Sequence, residues 1–449
     1  MTKKLLPNLG KIDRRAFLAG LAATAAFPAW AQAAPTNPDV VIVGAGAAGL
    51  AAARILAERG VSFVILEAKG RVGGRAFTET SSFGVPFDHG AAWIHQADHN
   101  PLTPMAHRNG YTLVAHDDNG EQLFVDTRAA SPTERAAYDQ AWYEVTSILR
   151  GIGHSGQDVA PAGRLPVSLP WTNVVKNWIG PLDLGCDIDS FSAADWWNLD
   201  YSTPSLMVRE GYGRFIADMA NGVPVQTSTP VTTIRWGGAG GVTVETPSGN
   251  IQAKAVIITV STGVLAAESI RFDPPLPAEK QRAIEDLPMG LVAKIALEFD
   301  GGSRFGLREN DWLSYTRDSN EVAYFLTWPF GDNLMVGTVG GKFAWDLTRA
   351  GEAAAVDFAL GELRRLFGPE VDRHFVRGVF TGWGSDQDVR GAFAIARPGG
   401  CAAREQLAQP VEKRLFFAGE ALGDGMATTA GGAFVNGRQV AADVARLVG

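Results

Sequence analysis

The run Asp39-Val-Val-Ile-Val-Gly44-Ala-Gly46-Ala-Ala48-Gly49-Leu50 decides how the rest of this chain is read. Asp39 to Val43 predicts a buried parallel strand, because its apolar residues are consecutive rather than alternating. Three glycines at G-x-G-x-x-G spacing then turn the chain into an Ala-rich helix, Leu50–Arg59. Val61–Leu66 predicts the next strand, with the acid Glu67 at its end. Each piece has a physical task. Gly44 permits the tight turn, Gly46 lets backbone N–H groups approach a pyrophosphate, and Gly49 lets helix and strand pack closely. The helix dipole then points at the phosphates. Glu67 lies about 20 residues beyond the glycines, where a carboxylate accepts hydrogen bonds from a ribose diol. The expected architecture is α/β around a dinucleotide.

Residues 1–34 read as a targeting segment. Lys3, Lys4 and Lys11 precede Asp13-Arg14-Arg15-Ala-Phe17-Leu18, which resembles a twin-arginine export signal. A modest apolar run and the small-x-small sequence Ala31-Gln32-Ala33 follow, and the run is too short to span a bilayer. The expectation is export through the twin-arginine machinery to a bacterial periplasm, already folded around the cofactor.

The roughly 415 residues that remain exceed one typical core, so two closely joined domains are expected. A net charge of −8 with no basic cluster argues against nucleic acid or stable membrane association as partner. Cys186 and Cys401 are the only cysteines, and no metal-ligand spacing occurs despite His89, His95, His99 and His107.

After Glu67 the chain continues Ala68-Lys-Gly-Arg71-Val-Gly73-Gly74-Arg75, then Phe87-Asp-His-Gly90-Ala91-Ala-Trp93-Ile-His95 and Asn100-Pro101. Its far end reads Phe417-Ala418-Gly419-Glu420, then Met426-Ala-Thr428-Thr429-Ala-Gly431-Gly432 and a helix. Together these motifs resemble the flavin-containing amine oxidases, closest to the polyamine and spermine oxidases. The likeness runs from about Asp39 to Val448, specific at both ends and loose between. It implies a Rossmann-like FAD-binding domain of the glutathione-reductase type, and a discontinuous α+β substrate domain. The divisions are 36–93, 205–285 and 380–449 for FAD, with 94–204 and 286–379 for substrate.

Carried over by position, the FAD contacts are Gly44, Gly46, Gly49, Glu67, Arg75, Gly90, Ala91, Val231 and Glu420. The flanking Ala48, Ala68, Gly74, Trp93, Gly419 and Thr429 join them, with Thr429 leading the final helix toward the flavin's pyrimidine end. Among relatives with covalent flavin a cysteine stands where this chain has Ala392, so the FAD here is expected to be non-covalent. The catalytic candidates are Lys294, His95, Trp383 and Phe393. Lys294 sits in an apolar alternating strand, where it is either a strand-end lysine reaching solvent or a buried ammonium holding a water beside the flavin. Burial would lower its pKa. His95 lines the substrate tunnel or serves a structural hydrogen bond. Phe393 matches the first ring of the monoamine oxidase cage, whereas Thr429 replaces the second.

Residues 130–215 read as helices and loops, with Trp171, Trp178, Trp196 and Trp197 as helix core or tunnel wall. Short strands at 223–262, more strands at 290–345 and a helix at Ala353–Phe367 follow. Acids to hold a distant ammonium are sought among Asp98, Asp117, Asp187, Asp189 and Asp195. The expected reaction takes a hydride from the carbon next to an amine nitrogen, with dioxygen or a periplasmic cytochrome as final acceptor. A polyamine-type substrate is favoured. The alternatives are an L-amino-acid oxidase, with Arg209, Arg317 or Arg390 clamping the carboxylate, and a non-catalytic FAD-binding protein.

Overall fold

The computed structural model describes residues 37–116, 121–167, 171–199, 204–238 and 240–449. The targeting segment at 1–34 and the candidate Asp117 lie outside these residues.

A five-stranded parallel sheet forms the floor. Its strands run in the order Val225–Gln226, Phe63–Leu66, Val40–Val43, Ala255–Ile258 and Leu415–Phe417. Val40–Val43, Phe63–Leu66 and Ala255–Ile258 are buried at every position, as expected of strands covered on both faces. The first helix spans Ala47–Glu58 and begins directly after Gly46, earlier than the periodicity implied. A side-chain carbon at Gly49 would lie 2.0 Å from the Gly44 carbonyl oxygen, so helix and turn touch through bare backbone. The last helix, Ala430–Val448, packs along the first. The first and last helices of the described residues therefore meet over one sheet.

A four-stranded mixed sheet (Gly249–Ala253, Val242–Thr246, Thr233–Arg235 and Arg271–Asp273), antiparallel but for its last pair, flanks the floor. Above it lies a seven-stranded sheet whose order is Phe375–Phe380, Val292–Phe299, Leu334–Gly340, Tyr324–Thr327, Asp311–Tyr315, Glu121–Val125 and Arg128–Ala129. Glu121–Val125 runs parallel to Asp311–Tyr315, joining segments far apart in sequence. The helix expected at Ala353–Phe367 spans Glu352–Phe367.

The longest helix, Pro132–His154, opens with a capping box in which Ser131 and Glu134 satisfy each other's backbone N–H, and proline occupies its first turn. Its buried face (Tyr138, Ala141, Val145, Leu149, Ile152) joins the core of the upper layer. The short helix Ala193–Asn198 packs against it. Cys186 and Cys401 are free thiols. Among the described residues no helix is long and apolar enough to cross a membrane, and no cluster of three or more His, Cys, Asp or Glu has the arrangement of a metal site.

Candidate active site

A cavity of about 1520 Å³ runs from the carboxyl ends of the parallel strands up to the helices Pro132–His154 and Ala193–Asn198. At its lower end Gly44, Gly46, Ala48, Glu67 and Ala68 form one wall. Gly74, Arg75, Val231, Gly419 and Glu420 form the other. Gly49 does not line the cavity; its part is the helix–turn contact described above. A carbon added at Gly46 or Gly419 would meet no protein atom within 4 Å, so both present bare backbone to open space. That is the surface a pyrophosphate needs.

Glu67 is held ready by two N–H donors, Ala45 N to Oε2 (2.7 Å) and Lys69 N to Oε1 (2.9 Å). Burial pushes its carboxyl up, and those two N–H groups oppose the rise. Arg75 turns one nitrogen inward: Nη1 donates to Glu420 Oε1 (2.9 Å) and to Ala392 O (2.7 Å). Glu420 also accepts from Ala394 N, so it orients Arg75 and the 392–394 backbone. Thr429 caps the last helix: its hydroxyl accepts from Gly432 N (2.9 Å) and donates to Met426 O (2.7 Å). The helix N-terminus thus opens on the cavity, where it favours negative charge. These residues fit an FAD. Ala392 offers no nucleophile, and neither Cys186 nor Cys401 lines the cavity, so no cysteine is placed for a thioether to the flavin.

Midway, Gly90, Ala91 and Trp93 bring the cavity wall to Lys294. The Lys294 side chain does not reach solvent. The residue is 8 % exposed, and its Nζ donates to Asp88 O (2.8 Å) and Gly90 O (2.7 Å). The ammonium lies 5.5 Å from the centre of the Trp93 ring. Burial lowers its pKa to about 8, with the Asp88 carboxylate working against the shift. An ammonium has three donors, and two go to backbone. The remaining one is available for a water or ligand on the cavity side. Trp383 and Phe393 line the same stretch, with Trp383 Nε1 bonded to His89 O (2.9 Å).

Beyond Lys294 the cavity becomes an aromatic chamber. Trp93 stacks on Trp312 (5.9 Å, 27°), and Trp178 meets Trp312 edge-on (4.9 Å, 82°). Trp93 Nε1 donates to His116 Nδ1 (3.2 Å), fixing that nitrogen as an acceptor. His95 presents accessible surface, and that surface faces the cavity; its Nδ1 pairs with Ser205 Oγ at 3.0 Å. Enclosure by protein, reinforced by the neighbouring His116, pushes the His95 pKa down to about 4, so the ring stays neutral near pH 7.

Glu121 closes one side. It accepts from Tyr138 OH (2.6 Å) and Trp178 Nε1 (3.2 Å), and burial pushes its carboxyl up. Asp139 and Asp183 line the same upper region.

The acids expected to meet a distant ammonium are elsewhere. Asp195 is buried in a two-pronged ion pair with Arg404, and Asp187 accepts from Lys342 N (3.3 Å). Asp98 and Asp189 are surface residues, and none of the four lines the cavity. Glu121, Asp139 and Asp183 line it instead: the pairing of Glu121–Val125 with Asp311–Tyr315 brings Glu121 to the chamber, Asp139 lies on the helix Pro132–His154, and Asp183 follows the helical segment Trp178–Leu182. Arg209, Arg317 and Arg390 likewise do not line the cavity. Of the four tryptophans, Trp178, Trp196 and Trp197 form wall, and Trp171 is core.

The chain is similar to known proteins along most of its length. The profile described as flavin containing amine oxidoreductase matches residues 47–141 and 184–445. Probable polyamine oxidase 4 of Arabidopsis thaliana is 30% identical over 452 residues, covering 92% of this chain and 88% of the relative. Lysine-specific histone demethylase 1 homolog 3 of the same plant is 28% identical over 89% of this chain, which spans only 29% of that protein. Putrescine oxidase bound to putrescine superposes with a TM-score of 0.76 at 22% identity, covering 91% of this chain and 99% of the other. Cyclohexylamine oxidase from Brevibacterium oxydans gives 0.75 at 21%, covering 92% and 99%. The chain therefore belongs to the flavin-containing amine oxidoreductases and is an FAD-dependent enzyme acting on amines.

Proposed function

We propose that this enzyme oxidises a diamine or polyamine at the carbon next to one nitrogen, giving an imine that water hydrolyses, with dioxygen as acceptor and hydrogen peroxide as product. The observation that carries this reading is the continuity of the cavity. It leads from the dinucleotide cradle past Lys294 into an aromatic chamber bordered by Glu121, Asp139 and Asp183. Bound FAD supplies the hydride acceptor and the route for electrons to dioxygen.

The protein's part is selection and environment. Hydride leaves only a neutral amine, since an ammonium has no lone pair to push. The Lys294 charge, 5.5 Å from the centre of the Trp93 ring, disfavours a second cation at the reacting end. Neutral His95 adds no positive charge of its own. The carboxylates further up suit a protonated second nitrogen, with tryptophan faces contributing cation–π attraction.

A panel of putrescine, spermidine, a monoamine and an L-amino acid, read by peroxide release, tests the proposal. Turnover of the diamine or triamine should dominate; preference for the monoamine or the amino acid would overturn it. Glu121→Gln should raise KM for the diamine about tenfold, the size of one charged hydrogen bond, and leave a monoamine's KM within twofold. We further propose that residues 1–34 direct export to the periplasm through the twin-arginine route. A fusion of residues 1–40 to a folded reporter should be exported, and Arg14→Lys/Arg15→Lys should abolish that export; equal export of both forms would refute it.

A further inference from the structure

We infer that Arg404 is a positioning residue that couples the aromatic end of the cavity to its cofactor end. Arg404 lies on the short helix Ala403–Ala408, outside the cavity lining. Its guanidinium grips Asp195 with two prongs, Nε to Oδ1 (2.7 Å) and Nη2 to Oδ2 (2.8 Å). The side chains are 13% and 4% exposed, so the pair is nearly dry. Such a fork fixes direction as well as distance.

Each partner holds a different part of the site. Asp195 sits in the helix Ala193–Asn198, whose Trp196 and Trp197 line the chamber. Arg404 spends its other donors on Ala394 O (3.1 Å) and Ala421 O (2.8 Å). Ala421 follows Glu420, and Ala394 is two residues past Ala392, where Arg75 is anchored. The Ala394 N–H goes to Glu420, and the Ala396 N–H goes back to Asp195 (3.3 Å). The backbone of 392–396 is thus clamped by four charged side chains, two from the cofactor end (Arg75, Glu420) and the Arg404–Asp195 pair that reaches the chamber wall. A buried ion pair broken on one side leaves a charge uncompensated. Displacement of the 392–396 segment is therefore resisted at both ends together.

The inference depends on FAD binding, not on which amine is oxidised, so its failure would leave the proposed function standing. The test is hydrogen–deuterium exchange on the full-length wild-type protein, stripped of flavin and then reloaded with FAD. FAD alone should slow exchange at least fivefold in both 392–396 and 193–198. In Asp195→Asn, FAD should still protect 392–396 but no longer protect 193–198, and the FAD Kd should rise about tenfold; Arg404→Lys should behave likewise. No protection of 193–198 in the wild type overturns the coupling, whether or not the variants fold. Variants that lose thermal stability yet keep FAD Kd within twofold and the wild-type protection pattern also overturn it, since the pair would then be a structural tie only.

Discussion

Lys294→Met is expected to cut the rate at which electrons pass to dioxygen by about two to three orders of magnitude, with FAD still bound at one per chain. Methionine keeps the apolar stem in the strand Val292–Phe299 and removes only the ammonium. That ammonium is a positive group beside Gly90 and Trp93 whose hydrogen bonds go to backbone carbonyls rather than to a carboxylate. A fixed cation facing the point where negative charge develops has a value of this size, judged by the loss of about 10²–10³ when a single donor is removed elsewhere. With a pKa of about 8 the group also exchanges a proton near working pH. The wild-type rate should accordingly fall as pH rises through about 8, because the charge is lost there; in Lys294→Met the profile should be low and flat. Stopped-flow recovery of the flavin absorbance after mixing with oxygenated buffer measures both. A variant with wild-type rates and a wild-type profile would remove Lys294 from the chemistry.

Stability should change little. The folded-state pKa of about 8 lies below the ordinary value of 10.5, so the unfolded chain holds this proton more tightly between the two. The buried charge therefore opposes folding in full below about pH 8, by roughly 3 kcal/mol, and the penalty fades as pH climbs toward 10.5. Methionine relieves that penalty but leaves the Asp88 and Gly90 carbonyls without a partner, at about 1–3 kcal/mol each. The two effects are of similar size and opposite sign.

The cofactor half was legible in the sequence because its signals are local. Gly44, Gly46 and Gly49 act within one turn, Glu67 ends the next strand, and Thr429 begins a helix whose capping chemistry is visible in the residues themselves. Lys294 was legible because a lysine in an apolar alternating strand is a conflict that burial must resolve. The chamber was not legible. Glu121 and Trp312 meet across a parallel pairing of distant segments, and a five-residue strand such as Glu-Gln-Leu-Phe-Val carries little period. His116 acquires its place from Trp93, which no spacing records. One missed signal was available: Arg135, Asp139, Trp142, Thr146 and Arg150 fall at helical intervals on Pro132–His154, beside its apolar face. Asp195 shows the opposite error: it was a candidate only by its place in the expected substrate domain, and its partner Arg404, more than 200 positions away, is set by the fold alone.

Gly90→Ala is expected to yield protein with less than a tenth of the wild-type flavin content. The argument is steric. A methyl carbon at this position would lie 1.8 Å from Arg75 O and 3.2 Å from Trp383 Cζ2. The first contact is backbone and cannot rotate away, so one of the two chains must move by more than an ångström. Every available movement disturbs the site. Gly90 O accepts from Lys294 Nζ, Arg75 O accepts from Ala91 N, and His89 O accepts from Trp383 Nε1. Shifting Arg75 also breaks its bonds to Ala392 O and Glu420. Overpacking of this kind usually costs about 1–3 kcal/mol in an adaptable core; here the displaced atoms are the ones that define the cofactor surface, so the loss falls on binding. The ratio of flavin absorbance to protein in the purified variant, with a titration of added FAD, measures it. Gly84→Ala is a fitting control, since an added carbon there meets nothing within 4 Å and the position is outside the cavity. Its positive φ imposes backbone strain without touching the site, and it should stay yellow. A Gly90→Ala protein as yellow as wild type, with unchanged FAD affinity, would mean that this close approach of two backbones does not shape the flavin site.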